Sequence, residues 1–111
     1  MAAKFELKKN KKGEFTFNLK APNGRIILTS EQYISKSGAL NGIDSVKKNC
    51  KTDGAFERLE SKKHEPYFVL KAKNKEIIGK SETYSSKAGM ENGIASVKEN
   101  APSAEVKDLT E

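Results

Sequence analysis

The segment Asn41-Gly42-Ile43-Asp44-Ser45-Val46-Lys47 returns as Asn92-Gly93-Ile94-Ala95-Ser96-Val97-Lys98, 51 positions further along the chain. Without a gap, the same displacement pairs Phe5 with Phe56, Phe17 with Phe68, Ile26-Ile27 with Ile77-Ile78 and Tyr33 with Tyr84. The chain is one unit written twice. A unit of about 50 residues covers too little apolar surface to offset its chain entropy comfortably. Two copies solve that problem by extending one sheet side by side with pseudo-twofold symmetry, so that both helices shield the same face, as an isologous dimer would. Solenoid repeats need three or more units to stack, so two copies specify a closed domain. The 111 residues are therefore read as a single domain, with repeat one over 4–50, repeat two over 55–101 and a final strand at about 104–109.

Within a copy the period changes once. Lys4 to Lys9 alternates, with Phe5 and Leu7 on one side, as a half-buried strand does. Asn10 to Gly13 supplies turn chemistry, and Phe15, Phe17 and Leu19 mark a second strand. Asn23-Gly24 reverses the chain into a third strand, Arg25 to Ser30, in which Ile26 and Leu28 share the phenylalanine face and Ile27 and Thr29 lie opposite. From Ser35, a predicted N-cap, the spacing becomes helical: Ala39, Gly42, Ile43 and Val46 form one stripe, with Asn49 able to end the helix in the left-handed conformation. Gly42 inside that stripe costs about 1 kcal/mol against alanine, which points to a close approach between helix and sheet.

The second copy repeats the plan through Phe56, Pro66 to Lys71, Glu76 to Ser81 and a helix from Ser86 with the stripe Met90, Gly93, Ile94 and Val97. Asn74-Lys75 replaces Asn23-Gly24, a turn that Asn is expected to manage alone. Arg58 stands where Leu7 stands, so its strand is read as an edge or as shifted by a bulge that brings Leu59 inward. The fold class is α+β: two tandem β3-α repeats forming one antiparallel-rich sheet with both helices on one face.

The charge of +6 is uneven, since residues 1–50 carry ten Lys/Arg against four Asp/Glu and residues 51–111 carry eleven of each. The excess lies in the first copy. A lone Cys50 excludes an internal disulfide, and no apolar run is long enough for a signal peptide or a membrane span. A reducing cytoplasm is the expected compartment, and a monomer the expected state, because the duplication supplies the partner that a single copy would need.

The pattern Phe5-Glu6-Leu7, Phe17-x-Leu19-Lys20-Ala21-x-Asn23-Gly24, Ile27-Leu28-x-Ser30-Glu31-x-Tyr33 and Gly42-Ile43-x-Ser45-Val46-Lys47 closely resembles the YegP-like proteins, small bacterial and archaeal proteins of unestablished function. The resemblance covers nearly the whole chain. It implies a β3-α-β motif whose C-terminal strands are exchanged between halves, so that Phe56 to Glu60 closes the first copy while opening the second and Glu105 to Leu109 does the same at the end. It supplies no catalytic residue to carry over.

Four features are candidate sites. Ser30-Glu31-x-Tyr33 and Ser81-Glu82-x-Tyr84 precede each helix, where N–H groups attract anions, yet duplication favours a folding role for them as for Gly42, Ile43, Val46, Gly93, Ile94 and Val97. Lys8, Lys9, Lys11 and Lys12, with Arg25 alongside on the next hairpin, form the densest basic cluster and the candidate contact for nucleic acid or another polyanion. Lysine-rich edges also block unwanted sheet pairing. Thr16, Asn18, Ile27, Thr29, Tyr67, Val69 and Ile78 are expected on the face turned away from the helices, apolar enough to meet a partner. Cys50 and His64 each occur once and lack a third orienting group, and no catalytic, cofactor or metal-ligand signature is present. The sequence by itself does not say what the protein does; the reading it favours is a non-enzymatic interaction or accessory module, with polyanion binding through the first hairpin as the alternative.

Overall fold

Alternating apolar residues give each copy its strands, and the shift to a helical stripe gives each its helix. The structure, a computed structural model that describes residues 3–110, runs β1 (Lys4–Lys9), β2 (Phe15–Lys20), β3 (Ile26–Ser30), α1 (Lys36–Asn49), β4 (Phe56–Glu60), β5 (Pro66–Lys71), β6 (Ile77–Lys80), α2 (Lys87–Asn100) and β7 (Glu105–Asp108). Single 3-10 turns, Asp53–Ala55 and Ala101–Ser103, follow the two helices. All seven strands form one sheet in the order β4-β5-β6-β3-β2-β1-β7. The two repeats meet where β3 and β6 run antiparallel, with Thr29 opposite Lys80 and Ser30 opposite Gly79.

Each helix spans the join. α1 touches β2 of its own repeat and β5 and β6 of the other, while α2 touches β5 of its own and β3 of the other. The buried stripes are the expected ones, Ala39, Gly42, Ile43 and Val46 on α1 and Met90, Gly93, Ile94 and Val97 on α2. Facing them, Phe5, Phe17, Leu7, Leu19, Leu28, Phe68 and Leu70 are fully buried in one continuous core. Neither half has a separate core, so the mutual shielding inferred from the repeat is realised in the packing. Ser35 and Ser86 cap the helices, each accepting a hydrogen bond 3.0 Å long from the N–H of Gly38 or Gly89.

Both close approaches that the glycines implied have the same cause. A Cβ on Gly42 would collide with the hydroxyl of Tyr33 and lie 2.8 Å from its Cζ and 3.0 Å from Cε2 of Phe17. Gly93 stands in the same relation to Tyr84 and Phe68. The tyrosine rings stack on the phenylalanines, 6.2 Å apart in the first copy and 6.4 Å in the second. The helix therefore sits on an aromatic pair as well as on the sheet.

Four local expectations are corrected. β2 meets β3 with Leu19 opposite Leu28 but Lys20 opposite Ile26, leaving Ile27 as the extra residue of a bulge, and Ile78 has the same place between Leu70/Gly79 and Lys71/Ile77. A bulge re-aims its extra side chain, and both isoleucines join the core instead of the far face. Asn49 does not turn left-handed: α1 ends on Cys50 at φ −65°, and the Asn49 amide donates to the Ser45 carbonyl at 2.8 Å. In the β5–β6 turn it is Lys75, not Asn74, that takes positive φ (71°), where Gly24 has 85°. β4 is regular, with Arg58 opposite Phe68, so the edge reading holds and the bulge does not.

The exchange of strands is one-sided. β7 runs parallel to β1, with Lys4 opposite Glu105 and Leu7 opposite Asp108, and so joins the second repeat to the first. Among the described residues β4 pairs with β5 and with no strand of the first repeat, so it opens the second copy without closing the first.

Candidate functional site

The duplicated polar constellation is spent on the fold. Ser30 Oγ accepts the N–H of Phe17 at 2.8 Å and donates to the carbonyl of Glu31 at 2.7 Å; Ser81 does the same for Phe68 and Glu82. Each serine thereby satisfies a buried strand N–H where the ladder ends. Burial raises the pKa of Tyr33 and of Tyr84. Both serines are buried, whereas both tyrosines are partly exposed and Tyr84 lines a second cavity, of about 470 Å³, with Arg25 and Asn92.

The basic cluster is dispersed. Lys8 and Lys9 end β1 and Lys11 and Lys12 lie on the turn to β2, whereas Arg25 belongs to the turn at the other end of β2. Six strand residues separate the two turns by about 20 Å, so Arg25 does not stand alongside the lysines as expected. Lys8 is drawn toward Glu6 at 3.8 Å, and Lys9 lies 5.8 Å from the Phe15 ring centroid. Glu6 itself is buried, and its hydrogen bond to Lys20, at 3.0 Å, lowers its carboxyl pKa against the opposing effect of desolvation.

The sheet face away from the helices differs from the expected one, since the bulges set Ile26 opposite Lys20 and an exposed Ile77 opposite Lys71. Ile27 and Ile78 have left it for the core, and Thr16, Asn18 and Tyr67 are only partly exposed. Val69 is buried, flanked across the sheet by Glu57 and Lys80, and Lys80 covers the Tyr67 ring at 5.2 Å. Cys50 and His64 are not brought together: Cys50 is buried with its thiol pKa raised by that burial, and exposed His64 reaches Glu60 at 3.0 Å. His64 takes positive φ (63°) at the turn position that Gly13 holds in the first copy. Among the described residues no group of three His, Cys, Asp or Glu could hold a metal ion, and no helix is long and apolar enough to cross a membrane.

A further concavity has no local signal in the sequence. A cleft of about 1090 Å³ opens between the C-terminal turn of α1, the start of β4 and the β5–β6 turn, lined in part by Lys48, Lys71, Lys73, Lys75, Phe56 and Glu57. Lys48 pairs with Asp44 at 3.0 Å and Lys71 with Glu57 at 2.5 Å, while Lys73 and Lys75 make no ion pair among the described residues. The lysines are scattered in sequence over both copies, and only the packing of α1 onto the second repeat collects them.

Comparison with known proteins fixes the relationship. Residues 10–57 and 61–108 each match the family described as "Domain of unknown function (DUF1508)". The chain belongs to the DUF1508 family. A UPF0339 protein YegP of Yersinia pestis is 55% identical over 106 residues, covering 96% of this chain and 95% of that protein. The solution NMR structure of a UPF0339 protein from Shewanella oneidensis, 49% identical, superposes with a TM-score of 0.93 over 99% of this chain and 93% of the other. That of the E. coli protein yegP, of unknown function, gives 0.94 at 47% identity over 99% and 95%. The α+β tandem fold read from the repeat is thus the fold of DUF1508 relatives, and none of these relatives has an established function. The family unit does not begin at β1: it starts at the β1–β2 turn and ends in β4, then starts again at the β4–β5 turn and ends with β7. Glu57 in β4 is therefore the counterpart of Asp108 in β7, and β4 ends the first DUF1508 unit while holding the repeat position of β1 ahead of the second.

Proposed function

We propose that this protein is a non-enzymatic interaction module that works through contact with another protein. One observation supports the reading above the others: three pairs of polar residues repeated in both copies are engaged in folding. Ser30 and Ser81 bind strand N–H groups, Tyr33 and Tyr84 lie against helical glycines, and Asn49 and Asn100 hold the carbonyls of Ser45 and Ser96. Catalysis needs groups left over to converge on a reacting atom. The buried Cys50 thiol, its pKa raised, is a poor nucleophile. The reading includes a cytoplasmic, monomeric protein.

Polyanion binding through the first hairpin is the weaker reading, because the dispersal of Arg25 and the engagement of Lys8 and Lys9 leave Lys11 and Lys12 to track phosphates. The test of the leading reading is a screen of the purified chain against ester, phosphoester and acyl-transfer substrates. It is expected to give no turnover that Cys50→Ser or His64→Ala removes, and turnover lost in either variant overturns it. Sedimentation at a mass near 12.2 kDa is expected, and twice that mass defeats the monomer.

A further inference from the structure

The duplication makes one segment do the work of two. In the first half, β1 pairs with β2 on one side and with β7 on the other. In the second half, β4 occupies the place of β1, but the chain leaving α1 becomes β4 itself and cannot also run along its outer edge. The second half therefore lacks the strand that β7 supplies to the first. The consequence shows residue by residue: Leu7 and Glu6, under β7, are buried, while their counterparts Arg58 and Glu57 are exposed.

What the bare edge presents can be worked out from the pairing. The Phe68 N–H turns toward β6, where Ser81 accepts it, so Phe68 and Arg58 form a non-hydrogen-bonded pair and the N–H and C=O of Arg58 point outward. The corresponding carbonyl of Leu7 accepts the N–H of Leu109 at 2.8 Å. At the far end of β7, Asp108 is tied to Lys36 at the start of α1; Lys87, the counterpart of Lys36, makes no ion pair among the described residues. At the near end, Glu105 stands opposite Lys4, so the approach to β7 passes Ala3 and Lys4. Their counterparts Gly54 and Ala55 line the lysine cleft. The cleft therefore adjoins the start of the β4 edge, at Phe56 and Glu57.

We infer that the outer edge of β4, with the Lys73/Lys75 cleft at its start and Lys87 at its end, receives an extended acidic segment of another protein as a parallel eighth strand. Main-chain hydrogen bonds give such addition its affinity and flanking charges its register. The unpaired cations at both ends select acidic residues, and β7 shows the form: an acidic residue, a β-branched residue opposite Phe5, and an aspartate placed for a helix-start lysine. The inference rests on the interaction-module reading, yet the two fail separately, since turnover would sink that reading alone and a missing strand site this one alone.

The test uses the full chain, ¹⁵N-labelled, titrated with a synthetic peptide of residues 104–111 and with a scrambled peptide of the same composition. Saturable amide shifts are expected at Ala55 to Leu59, Lys73 and Lys87 with the first peptide only. Arg58→Pro removes the outward N–H without touching a β4–β5 bond and is expected to weaken binding by about tenfold or more, whereas Arg58→Ala keeps the N–H and binds. Lys73→Glu with Lys87→Glu, both on exposed sites that leave the fold intact, is expected to weaken it by about tenfold as well. Shifts confined to Lys4 to Lys8 would mean exchange with β7 on β1, and a mass of twice 12.2 kDa with protected β4 amides would mean that a second copy is the occupant. Either result, or no saturable shift, overturns the inference.

Discussion

The side chain of Leu28 occupies the space that a Cβ on Gly79 would need, with Leu28 Cγ 2.9 Å from that position. The two residues are repeat counterparts on adjoining strands, β3 and β6, at the pseudo-twofold join. A perfect duplication would place two leucines there, and one leucine against one glycine fits. The carbonyl of Thr29 lies 3.1 Å from the same position, so backbone as well as side chain resists a larger residue. Gly79→Ala is expected to destabilise by about 1–3 kcal/mol. With Leu28→Ala already in place the cost of Gly79→Ala should shrink, a coupling of about 1 kcal/mol measurable in a denaturant double-mutant cycle. Additive effects would show that the join is not packed in this way.

Gly42 and Gly93 sit inside helices, where alanine gains about 1 kcal/mol in propensity, so substitution there sets propensity against packing. Contact with Tyr33 and Phe17, or Tyr84 and Phe68, is too close for a Cβ, and Gly42→Ala and Gly93→Ala are each expected to cost about 1–3 kcal/mol net. Gly89 is the control: a Cβ there would be 3.4 Å from Ser86 Oγ and 3.6 Å from Tyr84 Cδ1, ordinary contacts. Gly89→Ala should raise the unfolding midpoint while the other two lower it.

The same comparison separates what the sequence disclosed from what it withheld. Strands, helices, caps and the buried stripes were legible because period and capping are local, and the exact repeat made each element vouch for the other. Gly42 was legible as a close approach, although the residue it approaches, Tyr33, came only with the structure. Ile27 and Ile78 were misplaced because alternation assumes a regular ladder, and the bulge that breaks it is a property of two strands together. Arg25 was misplaced beside the lysines because proximity in sequence hides that successive hairpin turns lie at opposite ends of a strand. The cleft was invisible because α1 reaches across to the second repeat, a pairing that no local pattern encodes.

Two turns carry strain in the second copy alone. His64 (φ 63°) and Lys75 (φ 71°) hold the left-handed positions that Gly13 (φ 81°) and Gly24 (φ 85°) hold in the first. A residue with a Cβ there costs about 1–2 kcal/mol, part of which glycine returns by gaining freedom in the unfolded chain. Lys75→Gly and His64→Gly are each expected to stabilise by about 0.5–1 kcal/mol. The reverse changes, Gly13→His and Gly24→Lys, should destabilise by similar amounts. Thermal unfolding of the four variants checks the signs.

The attachment of β7 depends on acid. Asp108 is held at a pKa of about 2, first by Lys36 and then by hydrogen bonds from Thr110. A carboxyl whose folded pKa lies below its ordinary value of 3.8 favours the docked strand above that value, and the advantage disappears as pH falls toward 2. All four residues of β7 are exposed, so little buried surface replaces the lost ion pair. Between pH 5 and pH 2, amide protection at Leu109, whose N–H binds Leu7, is expected to fall before protection in β2 or β5. Asp108→Asn should lower Leu109 protection at pH 6 and remove most of its acid dependence. If Leu109 and the central strands lose protection together in both proteins, β7 is part of the cooperative core and its anchor is not the Asp108–Lys36 pair.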